Sequence, residues 1–160
     1  LRRNESNSVR SSDLYLQGEI ELAPSWLATA GLRSGRLRVE TEDQFLSNGN
    51  DSGTLSYGYN TPVLALQWLP APGFNLYVSA GQGFESPTLN ELAYRPDGAT
   101  GFNTTLQPQT SLQLELGAKW RDDVLGLAAE AALFRAETDD EIGVLTNAGG
   151  RSTGSARSWG

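Results

Sequence analysis

Apolar and polar residues alternate with a period of two along most of this chain. The alternation runs through six stretches, which are residues 13–21, 26–33, 62–69, 75–83, 110–120 and 125–135. Successive side chains of a β-strand point to opposite faces, so each stretch predicts a strand with one apolar and one polar face. The pattern therefore predicts an all-β protein, an antiparallel up-and-down meander of about six strands.

The connections between these stretches are alternately short and long. Short turns are predicted at 23–25, 70–73 and 121–123, and long polar loops at 43–61, 84–109 and 139–152, with residues 1–12 as a further loop. All the short turns fall at one end of the meander and all the long loops at the other, which is typical of outer-membrane β-barrels. Trp26, Trp68 and Trp120 stand at the short-turn end of the apolar face, and we expect them to form one aromatic row.

Two segments depart from simple alternation. The pattern slips by one residue at Ser34 and Gly35 and resumes with Leu37 and Val39 as its apolar positions, which predicts a β-bulge. The Ala- and Leu-rich stretch 125–135 also fits a helical stripe. Its position after a clear strand and a tight turn favours a strand.

Composition narrows the function classes. The chain has 160 residues, a net charge of −7, and neither His nor Cys. The lack of His removes triads of the Ser-His-Asp kind and His acid/base chemistry, so we predict no enzyme and no metal site. The acidic balance argues against nucleic acid, whose phosphates require a basic surface. The absence of an initiator Met and of a signal sequence indicates a piece of a longer protein.

One motif is specific enough to suggest a family. Residues 77–92 read Tyr-Val-Ser-Ala-Gly-Gln-Gly-Phe-Glu-Ser-Pro-Thr-Leu-Asn-Glu-Leu, and residues 106–119 read Leu-Gln-Pro-Gln-Thr-Ser-Leu-Gln-Leu-Glu-Leu-Gly-Ala-Lys. Together they resemble the barrel of TonB-dependent outer-membrane receptors of the ferric-siderophore type. The resemblance is specific from about 62 to 153. It departs at Gln109, where the family usually has an acidic residue, and over 154–160.

The resemblance implies a segment of a 22-stranded barrel in the outer membrane of a Gram-negative bacterium. Residues 1–160 would form part of that barrel, without its plug and closing strand. Six strands cannot close a membrane barrel by themselves, because eight is the minimum. Loops 43–61, 84–109 and 139–152 would be extracellular. The implied ligand is a ferric siderophore or similar metal complex, and hydroxamate, citrate and catecholate chelates and cobalamin all stay open. The implied partners are outer-membrane lipid and, through the plug, TonB.

Residues of the long loops are the candidates for ligand contact. Aromatic and Arg side chains suit a bulky anionic chelate, and those available are Tyr57, Tyr59, Tyr94, Arg95 and Phe102. Packing within the loops is the alternative role for them. The family motif supplies a second group that we expect to shape the strand ends and the loop: Gly83, Phe84, Pro87, Thr88, Asn90, Glu91, Leu92, Glu115 and Gly117.

A soluble β-sandwich that serves as a binding or adhesin domain is the alternative fold and function. Such a domain would also alternate, but it would cover its apolar face with a second sheet. As an isolated segment of a barrel, the chain should instead associate with itself through its open strand edges and its apolar face.

Overall fold

The computed structural model describes residues 4–47, 49–93, 95, 101–144, 151–153 and 157–158. The strands in this part of the chain are β1 (Glu5–Ala23), β2 (Trp26–Asp43), β3 (Gly53–Ala71), β4 (Phe74–Glu85), β5 (Gln109–Asp122), β6 (Leu127–Asp139), β7 (Ile142–Val144), β8 (Arg151–Thr153) and β9 (Arg157–Ser158). One helical turn, α1 (Leu89–Leu92), lies between β4 and β5. No helix within the described ranges is long and apolar enough to cross a membrane.

The strands form a meander. In the described residues the main sheet has the order β1-β2-β3-β4-β5-β6-β9, and every neighbouring pair is antiparallel. β7 and β8 form a separate small hairpin. The predicted all-β antiparallel meander is confirmed, and the ambiguous Ala-rich segment is a strand, β6, rather than a helix.

The strands extend further into the polar segments than the sequence predicted. Residues 5–12 and 53–61 were assigned to loops, yet both are strand, so the predicted loop 43–61 is wrong in extent and shrinks to 44–52. Residues 5–12 pair with 36–43 of β2, and 53–61 pair with 33–41 of the same strand. The two segments lie on opposite sides of β2, and each forms backbone hydrogen bonds to it. These bonds hold the polar residues in an extended conformation regardless of side-chain type.

The bulge predicted at Ser34 and Gly35 is wrong. β2 keeps an unbroken register with both neighbours through this point, with Gly35 opposite Asp13 on one side and Tyr59 on the other. The pattern slips because the apolar residues change face. Leu32 is exposed on one face of the sheet, whereas Val39 is buried against loop residues on the other.

Directly opposed residues in antiparallel strands share a face, so the register defines two faces of the sheet. The first, here called the apolar face, carries Leu14, Leu16, Ile20, Trp26, Leu32, Leu64, Leu66, Trp68, Phe74, Val78, Leu114, Leu116, Trp120 and Leu133. The second, the polar face, carries Gln17, Glu19, Thr29, Arg33, Tyr59, Gln67, Tyr77, Ser79, Gln113, Glu115, Lys119 and Glu130.

The apolar face has no cover within the described part of the chain. Leu14 is 76 % exposed and Leu133 75 %, although Leu133 stands in one row with Leu116 and Val78. The small β7–β8 hairpin lies on the other side, where Ile142 packs against a buried cluster that includes Val39. The described strands form one open main sheet, so the fold of this part of the chain is not the β-sandwich of the alternative.

Aromatic side chains line the short-turn end of the apolar face, as predicted. Trp26 lies opposite Trp68, and their rings stack with centroids 5.7 Å apart and planes 15° apart. Phe74 lies opposite Trp120 on the next pair of strands and completes the row. Aromatic rows of this kind mark the level at which membrane barrels meet the interface.

Candidate ligand-facing surface

The polar face carries a hydrogen-bonded unit where β1, β2 and β3 meet. Asp13 accepts hydrogen bonds from the Tyr59 hydroxyl and from Arg33 Nε, the latter at 3.2 Å. The Arg33 guanidinium also lies 5.6 Å from the centroid of the Tyr59 ring. Gly35 stands between Asp13 and Tyr59 in the register, and a Cβ there would overlap both side chains. The bare glycine is what lets Tyr59 reach across β2.

A second unit with the same design lies on β4 and β5. Tyr77 stands opposite Gly117, where an added Cβ would overlap its ring, and its hydroxyl donates to Glu115. Lys119 lies 5.6 Å from the centroid of the Tyr77 ring and 3.9 Å from Glu130. Glu115 and Gly117, two residues of the family motif, thus hold a tyrosine flat on the sheet. The first unit balances Arg33 against Asp13, whereas the second sets Lys119 among two carboxylates, Glu115 and Glu130, so the polar face is rich in charge of both signs.

Phe84 joins the first unit to the loop. Its ring stacks on Tyr59 with centroids 4.0 Å apart and planes 15° apart. The pairing of β3 with β4 ends at Val63 and Gly81, and beyond that point β4 continues on β5 alone. The stack therefore bridges the two strands where their ladder has ended.

The loop after β4 folds back on the upper polar face and builds a core there. This loop core consists of Val39, Leu92, Phe102 and Leu106, with Leu37, Leu55 and Ile142 packed against it. Leu92 and Leu106 are fully buried. The backbone N–H of Asn103 donates to the backbone carbonyl of Leu92 at 2.7 Å. The Tyr57 hydroxyl donates to the Leu106 carbonyl at 2.9 Å. Tyr57 lies beyond the apolar rows, and burial raises the pKa of its phenol, which keeps it a donor.

The motif residues 87–92 fold the start of this loop. Thr88 caps the helical turn α1, which the sequence had placed in loop: its hydroxyl accepts from the Glu91 amide at 3.3 Å, and Glu91 accepts from the Thr88 amide at 2.8 Å. This reciprocal pair is a capping box. Pro87 is buried beside it, and the Asn90 carbonyl accepts from the Ala93 amide at 3.2 Å. The turn directs Leu92 into the loop core.

A glycine under the loop core gives a direct test of this packing. A Cβ at Gly53 would overlap Phe102, whereas a Cβ at Gly58, on the same strand, meets nothing within 4 Å. We expect Gly53→Ala to destabilise the closed loop by about 1–3 kcal/mol, because Phe102 must leave its site. Gly58→Ala should be neutral or slightly stabilising, since Ala suits a strand better than Gly. Hydrogen exchange of residues 101–106 in the full-length protein measures both, and equal protection in the two variants would contradict the packing.

The structure separates the five predicted ligand-contact candidates. Tyr57 and Phe102 are only 7 % and 8 % exposed. Phe102 belongs to the loop core and Tyr57 lies beside it, so both side chains pack inside the protein rather than face solvent. Tyr59 lies on the polar face, and Arg95 is partly buried in the loop. Tyr94 lies outside the described residues. The sequence analysis did not identify Asp13 and Tyr77 as site residues. Their hydrogen bonds depend on the strand register, which places Tyr59 opposite Gly35 and Tyr77 opposite Gly117.

Comparison with known proteins decides the family. The model of the TonB-dependent receptor-like β-barrel family matches residues 1–160, which is the whole chain. The chain belongs to this family. The family is one of outer-membrane β-barrels of Gram-negative bacteria, and its members are transporters and receptors, so this TonB-dependent receptor segment is not an enzyme.

Individual relatives agree with that assignment. The chain is 27 % identical over 146 residues to the probable TonB-dependent siderophore receptor PiuA of Acinetobacter baumannii, covering 81 % of this chain and 18 % of the relative. Its fold matches the alcaligin outer-membrane receptor FauA from Bordetella pertussis with a TM-score of 0.66 at 20 % identity, covering 96 % of this chain and 26 % of that one. The copper transporter OprC matches with a TM-score of 0.74 at 19 % identity, over 92 % and 24 %. The chain thus spans about a fifth to a quarter of the length of these relatives.

Proposed function

We propose that this chain forms part of the wall of an outer-membrane barrel that imports a ferric siderophore or similar metal complex. The observation that carries the proposal is the uncovered apolar face, with its aromatic row at the short-turn end and a charged, hydrogen-bonded face behind it. Such an exposed apolar face is stable in lipid, because the face then contacts hydrocarbon chains instead of water. The polar face would then line the water-filled interior.

Distances along β2 support this orientation. Trp26 and Arg36 share a face and are ten positions apart, which is about 34 Å along an extended strand. At a tilt of about 45° this corresponds to roughly 24 Å along the membrane normal, close to the ~25 Å height of the apolar band in outer-membrane barrels. The short turns would lie in the periplasm. The loops at 44–52, 86–108 and after Asp139 would lie outside the cell.

The family and the groups near the loop support the proposed ligand class. PiuA is described as a probable siderophore receptor, FauA as a receptor for alcaligin and OprC as a copper transporter. Near the loop end of the polar face, Tyr59 and Phe84 form an aromatic stack flanked by Arg33. Aromatic and guanidinium groups of this kind suit a bulky anionic chelate, with Arg95 and Tyr94 as further contacts from the loop. TonB would supply energy through the plug of the intact receptor.

Growth on single iron sources tests the proposal. A strain that lacks the full-length receptor, with and without a plasmid copy, is grown on a panel of ferric hydroxamate, citrate and catecholate chelates. We expect the plasmid to restore growth on one chelate class and to lose that effect when TonB is deleted. In the same strain, Tyr59→Ala should weaken uptake by about tenfold, the loss expected for one stacking contact of about 1–2 kcal/mol.

Two outcomes would contradict the proposal. One is that growth on each of the chelates depends neither on the receptor nor on TonB. The other is recovery of the full-length protein in soluble form without detergent, since a barrel with this face requires lipid or detergent around it.

A further inference from the structure

Arg33 is the basic side chain of the polar face that lies nearest the loops. In the six long strands β1–β6, the basic residues of this face are Arg33, Lys119 and Arg121. Lys119 lies opposite Asn75 and Arg121 opposite Ala128, both towards the short turns. The other arginines of these strands share the apolar face. Attraction of an anion to the upper part of this strand face therefore depends on Arg33.

Arg33 is already paired with a carboxylate. Asp13 accepts hydrogen bonds from Arg33 Nε at 3.2 Å, from the Ser11 hydroxyl at 2.8 Å and from the Tyr59 hydroxyl. Donors on three neighbouring strands thus hold this carboxylate in place. The Arg33 side chain is 52 % exposed and that of Asp13 25 %. Arg33 remains accessible from the interior, but a fixed negative charge beside it balances its own.

The pairing belongs to the same unit that offers an aromatic surface. Gly35 lies opposite both Asp13 and Tyr59, and a Cβ there would overlap both side chains. The Tyr59 ring stacks on Phe84, and its centroid lies 5.6 Å from the Arg33 guanidinium. A ligand that contacts the two rings therefore lies close to one positive and one negative charge.

We propose that Asp13 determines specificity by charge: its pairing with Arg33 lowers the affinity of the receptor for highly anionic chelates and favours neutral or weakly charged ones. An anion close to this unit is attracted by the guanidinium and repelled by the carboxylate over similar distances, so the two interactions largely cancel. A neutral chelate loses nothing by this balance, because it binds through contact with the Tyr59 and Phe84 rings. The inference rests on the proposed transport function and narrows its ligand class by charge.

Equilibrium binding to the purified full-length receptor in detergent tests this role. The probes are a ferric tricatecholate, which is a trianion, and a ferric trihydroxamate, which is neutral, and quenching of tryptophan fluorescence gives their affinities. At physiological salt Asp13→Asn should bind the trianion about threefold to tenfold more tightly than the wild type does, since a like charge at close range is removed. Its affinity for the neutral chelate should change by less than about twofold, because Asn keeps an acceptor for Arg33 and Tyr59.

Salt separates this role from a structural one. The gain in trianion affinity should almost vanish at about 1 M salt, where the Debye length is only about 3 Å. A residue that merely stabilised the fold would weaken both probes when changed, and salt would not restore the difference. Folding of every variant is checked by the heat-dependent gel mobility of the barrel.

Two further variants test whether the charge balance is local. Glu19→Gln removes a carboxylate from the same strand and face, six positions or about 20 Å from Asp13, and should leave both affinities unchanged. Arg33→Gln should weaken trianion binding by about the factor that Asp13→Asn gains. The double variant Asp13→Asn, Arg33→Gln carries no charge in this unit and should return to within about threefold of the wild type.

Several results would overturn the inference: equal trianion affinity of Asp13→Asn and the wild type, a loss of affinity for both probes, a gain that persists at high salt, or an equal gain in Glu19→Gln. A double variant as weak as Arg33→Gln alone would also refute it, since Asp13 would then act only by holding Arg33 in place. The same holds if neither the wild type nor Asp13→Asn binds either probe. Growth of the wild type on the chelate panel decides the transport proposal separately, because it involves none of these variants.

Discussion

Leu64→Arg is expected to destabilise the intact receptor in lipid by about 2–4 kcal/mol, the cost of an Arg near the midplane of the lipid face of a barrel. Leu64 lies on the apolar face opposite Ala30 and Ala80, and its side chain is 61 % exposed. An exposed Leu in a water-soluble protein tolerates Arg with little change. A large effect at so exposed a position therefore requires hydrocarbon outside it.

A matched variant on the opposite face completes this test. Gln113→Arg introduces the same side chain at a neighbouring level of the polar face, where Gln113 is exposed beside Glu115. We expect a change of less than about 1 kcal/mol there, because the interior of a barrel is hydrated. Urea unfolding of the full-length receptor in phospholipid vesicles gives both values. Similar losses in the two variants, or a larger loss for Gln113→Arg, would mean that the faces are assigned the wrong way.

Leu92→Ala is expected to open the loop after β4. Leu92 is fully buried in the loop core, and truncation of such a residue costs about 2–5 kcal/mol. The loss should be confined to this loop, because the strands below are held by their own ladders. An increase of the open population by a factor between about 30 and several thousand follows, and hydrogen exchange at 89–93 and 102–106 in the full-length receptor should report it.

Leu89→Ala is the control for that experiment, since Leu89 is on the same helical turn but 37 % exposed. Its effect on exchange should be several times smaller. If both leucines gave equal and small effects, the loop core would not be the source of the loop's stability.

Much of the fold could be predicted because it depends on local pattern. The alternation at 110–120 predicts which residues share a face, and the register places Leu112, Leu114 and Leu116 together as expected. The tryptophan row followed from the same reasoning, since each Trp lies at the short-turn end of an apolar stretch. The Ala-rich segment needed one further fact, the tight turn before it, to be identified as a strand.

The strand ends and the slip in β2 could not be predicted in this way. Residues 5–12 and 53–61 have the composition of loops, and they are extended only because β2 lies between them with free backbone groups. Leu37 and Val39 face the polar side because the loop core covers them there. The resulting change of face looks like a bulge in the sequence.

The candidate site divides along the same line. Aromatic residues in a loop are reasonable ligand contacts by type, yet Tyr57 is turned inward by a hydrogen bond to Leu106, 49 positions away along the chain. Asp13 joins Tyr59 across 46 positions, and only Gly35 in the strand between them makes the contact possible. Neither of these two hydrogen bonds can be predicted from the local sequence around its residues.

By itself, the sequence of this TonB-dependent receptor segment determined the strand period, the two chemically distinct faces and the end at which the short turns lie. These follow from the geometry of a single extended backbone, in which neighbouring side chains alternate. The tertiary structure decided how far each strand runs, which polar residues meet and which loop residues are buried. Those outcomes depend on pairing register and on packing between distant segments, and a period of two carries no information about either.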